Sequence, residues 1–331
     1  MEGHLPLDTS GLNCPLDISN NKLFFSLVDY RNNYFTSNDP NKIIEFYKSF
    51  ESRDQLIEWM KERPEGTANI YEIEGNKEII VVIPTADFNG KYAKECRENV
   101  FNGLHIIFVE SGEFPDPYFN YAHNCNIGIK KAMEYNPKWI VVSNDDAYEI
   151  SEVENLKEEL SKKDPNQIDL LFAKEMSYIT QHSKLADRRI IFKIILFLIG
   201  KSLQWNRLEK RFKIRYLGAP TKGLSSALYK KGWTFSNLIA FAIFSSNMCT
   251  KLKGDLFDET YINAAEDTDL SIRANTEYRS EIINYKIGAF KGKTMGMVKM
   301  RRYREIPSNA YLNLKIELGL LKIGPHSKNL K

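Results

Sequence analysis

The run Ile79–Ile83 (IIVVI) constrains the fold most, because it places five β-branched apolar residues in succession. Strands covered on both faces have continuous apolar runs, whereas strands with one wet face alternate. Two further strands are predicted, Leu104–Val109 and the strand that starts at Trp139 and ends at Asp145, with helices near 92–101 and 126–135. Strands that alternate with helices indicate an α/β fold with a mostly parallel sheet flanked by helices.

Two acid-rich stretches are the candidate functional segments. The first, Asn144–Asp146, ends the strand that starts at Trp139, and the second is Phe257–Arg273 (FDETYINAAEDTDLSIR). The carboxylates of the second stretch are Asp258, Glu259, Glu266, Asp267 and Asp269. Like charges this close are unfavourable unless a cation or a substrate compensates them. Capping of a helix that begins near Leu270 is the alternative explanation, with Asp269 as a cap and Arg273 paired to an acid.

These stretches resemble the signature of inverting family 2 glycosyltransferases with the GT-A fold. In that family an acidic triplet ends a central strand and an FDE…EDxDLxxR segment lies downstream. The downstream segment matches over most of its length, while Asn144 stands in place of the first acid of the triplet. Ile83–Thr85 (IPT) is similar to the family's first strand end, and Asn126–Gly128 to its N-x-G helix start. The resemblance implies a Rossmann-like, mostly parallel GT-A sheet.

The resemblance also implies roles for the acids. Asp146 would bind Mg²⁺ or Mn²⁺ on the diphosphate of a nucleotide-sugar donor, since hard carboxylate oxygen suits either ion. Asp145 would position the ribose or a metal-bound water. Asp267 would be the general base that activates the acceptor hydroxyl, with Glu266 as the reserve candidate.

Further residues complete the predicted donor and acceptor sites. The donor-binding set adds Pro84, Thr85, Asp87, Glu110, Asn126, Lys291 and Lys293. Glu110 stands where the family usually has an Asp, and exposure in a loop is its alternative. Family members often carry a downstream His at the metal site, but no His lies between His182 and His326, so Lys291, Lys293 or Arg301 is expected to neutralise the diphosphate. Trp233 and Phe235 are expected to stack on the acceptor sugar, unless they are core residues.

The predicted function is therefore inverting transfer of a sugar from a nucleotide-sugar donor to a hydroxyl of a glycan or lipid-linked acceptor. Two alternatives stay open. One is a nucleotidyltransferase, which would need a Gly-rich, Arg-containing loop after the first strand, where residues 84–87 have none. The other is a non-catalytic relative that binds a saccharide or a membrane. No GxGxxG or GxxxxGK[ST] motif follows a strand, which excludes dinucleotide-binding and P-loop interpretations.

Residues 1–76 lie outside the resemblance and are predicted to form an α+β extension that packs on a glycosyltransferase domain, 77–331. That domain divides into a nucleotide-binding half, 77–150, and an acceptor-binding half, 151–331. Within the second half, residues 188–215 combine a short apolar run with many basic residues. Two interpretations of this segment stay open: contact with a membrane surface, which the basic neighbours favour, and a buried helix or a dimer contact, which short apolar runs form more often.

Composition narrows the protein class. A net charge of +3 is too small to indicate nucleic-acid binding. Cys14, Cys96, Cys125 and Cys249 are scattered without a CxxC pair, which favours a reducing compartment without disulfides. The first twenty residues lack a signal-peptide core, and no run approaches the roughly 20 apolar residues of a membrane span. The sequence thus predicts a cytoplasmic protein, and peripheral attachment to the inner face of the cell membrane follows only if 188–215 contacts lipid.

Overall fold

The computed structural model describes residue 34 and residues 37–111, 118–175, 241–289 and 303–321. Several predictions concern residues outside these ranges. They are the segment at 188–215 with its apolar run and basic residues, the acceptor residues Trp233 and Phe235, and the donor residues Lys291 and Lys293. These predictions stay untested.

The described residues form an α/β fold built on one eight-stranded sheet. The strands are β1 Asn69–Ile73, β2 Asn76–Thr85, β3 Leu104–Glu110, β4 Trp139–Ser143, β5 Ala147–Glu149, β6 Leu170–Glu175, β7 Phe241–Ser245 and β8 Ser280–Ala289. Their order in the sheet is β1-β3-β2-β4-β7-β6-β8-β5. The run Ile79–Ile83 lies within β2 and is buried at every position, so its prediction as a doubly covered strand is confirmed.

The prediction of a mostly parallel sheet is wrong, because the sheet is mixed. The pairs β2–β3, β2–β4 and β6–β8 are parallel, whereas β1–β3, β4–β7, β6–β7 and β5–β8 are antiparallel. Strand β7 (FAIFS) is buried throughout, yet it runs against both of its neighbours. A continuous apolar run reports burial on both faces and carries no information on strand direction.

Helices cover both faces of the sheet. They are α1 Pro40–Lys48, α2 Arg53–Lys61, α3 Lys91–Glu95, α4 Tyr121–Met133, α5 Val153–Ser161, α6 Ser246–Lys251, α7 Glu266–Thr276 and α8 Ile306–Glu317. A π-helical turn, Cys96–Val100, continues α3. Successive side chains of β2 point to opposite faces of the sheet. Val81 packs in the apolar cluster with α3 and α5, and Val82 packs in the cluster with α4, α6 and α7.

The N-terminal helices join the last helix. Residues of α1 and α2 form one apolar cluster with Ile262 and with Ile306 and Ala310 of α8. Arg53 of α2 pairs with Glu317 at 2.8 Å. Helix α2 starts as its sequence predicts, since the Ser52 hydroxyl accepts a hydrogen bond from Gln55 N at 3.2 Å. Strand β1 precedes the predicted domain boundary at 76 but pairs with β3, so the sheet begins before that boundary.

Among the described residues, no helix combines the length and the apolar character needed to cross a membrane.

Candidate functional site

The topology brings both acid-rich stretches to one edge of the sheet. Strands β2, β4, β6 and β8 all point the same way, because β7 runs antiparallel to both β4 and β6. Asp145 and Asp146 follow the carboxyl end of β4. Helix α7 lies against the sheet and ends just before β8 starts, so it runs opposite to these strands. Its first residues, Glu266 and Asp267, therefore lie toward the carboxyl edge, where open α/β sheets bind ligands.

The loop before α4 holds the second acid-rich stretch at this edge. Asn263, three residues before Glu266, donates from its side chain to Phe119 O at 2.7 Å and accepts from Tyr121 N at 2.8 Å. Phe119 and Tyr121 lie between the carboxyl end of β3 and helix α4. These bonds hold the residues just before Glu266 and Asp267 beside the loop that follows β3.

Asp145 and Asp146 lie in different surroundings despite being adjacent. The Asp145 carboxylate accepts a hydrogen bond from the Thr85 hydroxyl at 2.8 Å. Burial raises the Asp145 pKa, and the Thr85 bond opposes that rise in part. Asp146 is 6% exposed, and the Asn144 side chain and the Asp146 backbone approach its carboxylate in a geometry too poor for a regular hydrogen bond. A buried carboxylate that is so weakly satisfied is costly, which is typical of a ligand-binding group.

The Asp146 pKa is raised to about 6, mainly by burial and further by repulsion from Asp145. An acid whose pKa is higher in the folded state than its ordinary value of 3.8 loses stability as pH rises between these two values. We expect Asp146→Asn, which mimics the protonated acid, to be more stable than wild type above about pH 6, by on the order of 1 kcal/mol. Below about pH 4 the two proteins should be equally stable.

Urea unfolding in chelator-treated buffer at several pH values measures this difference. Asp164→Asn is the matched control, because Asp164 lies in the turn after α5 and accepts only from Asn166. An Asp146→Asn variant that is less stable than wild type at neutral pH would show that the carboxylate has a structural role.

Helix α7 starts from a strained backbone. Asn263 and Ala265 have φ angles of 48° and 71°, in the left-handed region that disfavours residues with a Cβ. Ala265 is the N-cap residue and offers no side-chain cap. Such strain persists where the surrounding structure holds it and is common at ligand sites. It places Glu266, which is 7% exposed, and the half-buried Asp267 in the first helical turn.

Asp269 does not cap α7, contrary to the alternative drawn from the sequence. It is fully buried and accepts hydrogen bonds from Tyr261 OH at 2.9 Å and Arg273 Nε at 2.8 Å. Lys315 of α8 pairs with the same carboxylate and with Asp258, the latter at 2.9 Å. The predicted pairing of Arg273 with an acid is thus confirmed. Asp258 and Asp269 of the second stretch therefore belong to a largely buried ion cluster with Lys315 and Arg273.

The Asn126 side chain forms hydrogen bonds with the FDE loop, residues 256–259. Its side-chain nitrogen donates to Phe257 O at 2.8 Å and to Glu259 Oε1 at 2.9 Å, and its oxygen accepts from the backbone nitrogens of Leu256 and Phe257. These bonds use both donors and both acceptor positions of the amide. Asn126 therefore holds the loop, and the predicted donor contact has no free amide atom to make it.

The glycine of the N-x-G match has a packing role. A Cβ at Gly128 would lie 2.3 Å from Val82 Cγ1 of β2, so only glycine lets α4 approach the sheet this closely.

The other predicted donor residues surround the carboxyl end of β2. Pro84 and Thr85 are its last two residues, and Asp87 stabilises the following turn by accepting from Asn89 N at 2.9 Å. Glu110, at the end of β3, accepts from Phe88 N at 2.8 Å and so connects this turn to the neighbouring strand. Their contact with a nucleotide stays a prediction.

Sequence reasoning missed Arg63 and Lys315. Arg63, just after α2, donates from Nη2 to Glu259 O at 2.6 Å and to Tyr261 O at 2.8 Å. Lys315 is the basic partner of Asp258 and Asp269. Both residues lie outside the motif and reach it only through folding, so no local pattern identifies them.

Within the described ranges, no group of three or more His, Cys, Asp or Glu side chains is arranged to hold a metal ion. Cys96, Cys125 and Cys249 are buried and form no disulfide. Comparisons with protein-family models, with curated proteins and with solved structures each gave no match.

Proposed function

We propose that the protein is an inverting glycosyltransferase that uses a nucleotide-sugar donor, with the mixed sheet as a variant of the GT-A arrangement. The observation that carries this proposal is the position of the two acid pairs, Asp145–Asp146 and Glu266–Asp267, at the same carboxyl edge. Inverting transfer needs a base on the acceptor side and neutralisation of the departing diphosphate on the other side. Two separate acid pairs at one edge would allow one pair to supply the base and the other to bind the cation that neutralises the diphosphate.

On the donor side, Asp146 supports the proposal through its buried, weakly satisfied carboxylate. Its oxygens fit Mg²⁺ or Mn²⁺, which when bound would neutralise charge on the diphosphate. Asp145, held by the Thr85 hydroxyl, would orient the ribose or a water. Thr85, Asp87 and Glu110 order the backbone around this end of β2. Lys291 and Lys293 follow β8 in the chain and would add positive charge at the same edge.

On the acceptor side, Asp267 would take the proton from the attacking hydroxyl. Its Oδ1 accepts from Thr268 N at 2.7 Å, which fixes the side chain at the start of α7. The partial positive charge at a helix N-terminus keeps a carboxylate ionised but also makes it a weaker base. The base would therefore depend on a position in line with the acceptor hydroxyl. Glu266 is the reserve base. Trp233 and Phe235 are the proposed stacking residues for an acceptor that is a glycan or a lipid-linked sugar.

A non-catalytic relative is the second candidate, favoured by two observations. Asn144 replaces the first acid of the triplet, and the described residues hold no group of three metal-ligating side chains. Such a protein would bind a saccharide or, through 188–215, a membrane surface, and it would turn over no donor.

Donor binding separates these candidates. We expect purified protein with Mn²⁺ to bind or slowly hydrolyse one member of a panel of UDP-, GDP- and dTDP-sugars, as measured by calorimetry and nucleotide release. Asp146→Ala should abolish binding, because it removes the carboxylate proposed to hold the cation. Asp164→Ala is the control and should bind normally. Saccharide binding without any donor binding would favour the non-catalytic relative.

A further inference from the structure

A cavity of about 190 Å³ lies where the N-terminal helices meet the second acidic stretch. Its walls come from the end of α2 with the residues after it, from the start of α4, and from the FDE loop. The lining residues are Met60, Lys61, Arg63, Pro64, Glu65, Asn120, His123, Glu259 and Thr260. The cavity could hold several water molecules, each of which occupies about 30 Å³ in the liquid. That is room for a small charged group together with the atoms attached to it.

Arg63 is the unusual feature of this cavity. Nη2 of its guanidinium donates to two backbone carbonyls, while the buried Nη1 has no hydrogen-bond partner. None of the described carboxylates forms an ion pair with it; Glu266, Glu259 and Asp258 act on it only at longer range. Burial lowers the Arg63 pKa to about 10 despite these acids. Guanidinium groups buried to this extent are normally paired with an acid, and Arg63 has no such partner among the described residues.

The other charged side chains that line the cavity do not prevent an anion from binding beside Arg63. Both Glu259 oxygens already accept hydrogen bonds, from Asn126 at 2.9 Å and from His123 Nδ1 at 2.8 Å. Lys61 pairs with Glu58 at 2.8 Å, but both side chains are largely exposed, and such pairs exchange easily with another anion. Glu65 is exposed and opposes an anion only through solvent.

We infer that this cavity is an oxyanion site, in which Arg63 and Lys61 bind a phosphate or carboxylate group of a small ligand. Asn120 and His123 line the opposite wall. The bond between His123 Nδ1 and Glu259 leaves the second ring nitrogen of His123 for a contact with the ligand. This inference does not depend on the proposed sugar transfer, because binding of an anion to the cavity can be measured in the absence of a nucleotide-sugar donor.

Calorimetry of the full chain with inorganic phosphate, glucose 6-phosphate and glucuronate tests the inference, with neutral glucose as the ligand control. We expect binding of the anions at one site and none of glucose. Stronger binding of the two phosphates than of glucuronate would assign the site to phosphate, and the reverse order to carboxylate. Absence of binding by all three anions at millimolar concentration would overturn the inference.

Two exposed positions give variants that should fold normally. Lys61→Gln should weaken anion binding about threefold to tenfold, and Glu65→Gln should strengthen it by a similar factor, because each changes one solvent-screened charge near the ligand. Lys138→Gln, at a surface pair with Glu78, is the matched control and should change nothing. Arg63→Lys keeps the charge but loses the planar donor fork, so it should weaken binding more than tenfold. Equal affinities in all four variants would overturn the inference.

The histidine spectrum of the wild-type protein supplies a test without any variant at Arg63. With ¹⁵N-labelled histidine, titration of the anion should shift the His123 ring signals, while His105, which bonds to Glu72 at 2.9 Å, should stay in place. Shifts at His105 with none at His123 would place the anion elsewhere and reject the site.

Discussion

Asp267→Asn is expected to lower sugar transfer by about 10²–10⁴-fold while donor binding stays close to wild type. The amide oxygen of Asn can still accept the bond that Thr268 N donates to Asp267 Oδ1 at 2.7 Å, so the helix start should be preserved. What is lost is the group that accepts the proton of the acceptor hydroxyl. The loss should therefore appear in kcat, with little change in the affinity for the nucleotide sugar. Steady-state kinetics and donor calorimetry on the same preparations measure both quantities.

Glu277→Gln is the matched control, because Glu277 is exposed and lies at the opposite end of the same helix. It removes one carboxylate from α7 without touching the carboxyl edge and should leave kcat unchanged. If Asp267→Asn retains full turnover while Glu266→Gln loses it, the base is Glu266. Full turnover in both variants would contradict the assignment of the base to this helix start.

Asp269→Ala is expected to destabilise the fold by about 3–5 kcal/mol, the usual loss when one member of a buried ion pair is removed. The fully buried Asp269 joins Tyr261, Arg273 and Lys315, so its removal takes the shared acceptor from two cations and a hydroxyl and leaves Arg273 without its carboxylate. The loss is a large share of the 5–15 kcal/mol that stabilises a typical domain. Urea unfolding followed by circular dichroism gives the free energy of unfolding directly.

Asp255→Ala provides the surface comparison. Asp255 pairs with Lys130 at 2.6 Å, but both side chains are about half exposed, so its loss should cost less than about 1 kcal/mol. Equal losses for Asp255→Ala and Asp269→Ala would show that the buried cluster contributes no more than a surface pair.

The sequence predicted local features that depend on residues close together in the chain. The run Ile79–Ile83 indicated a buried strand, and Ser52 with Gln55 indicated a helix start, because both rest on side-chain pattern or on hydrogen bonds within one turn. The order of strands and helices predicted the α/β class for the same reason. The two acid-rich stretches were also visible in the sequence, since like charges in a short segment need compensation.

The prediction was less successful for the roles of individual motif residues. Asn126 matched a family position and was expected to contact the donor, yet it forms four hydrogen bonds with the FDE loop. Asp269 was interpreted as a cap, and it is the centre of an ion cluster. A short motif specifies which residues are near each other in the chain, while its hydrogen-bond partners come from other segments.

What the sequence determined by itself is therefore the α/β class, the strands β2, β3 and β4, the start of α2 and the two acidic segments, because each follows from neighbouring residues. Only the tertiary structure decided the direction of β7, the partner of Asp269 on α8, and the contact of Arg63 with the FDE loop. Arg63 lies 196 residues from Glu259 in the chain. Contacts at such separations form only when packing of the apolar faces brings the segments together, so no pattern of neighbouring residues encodes them.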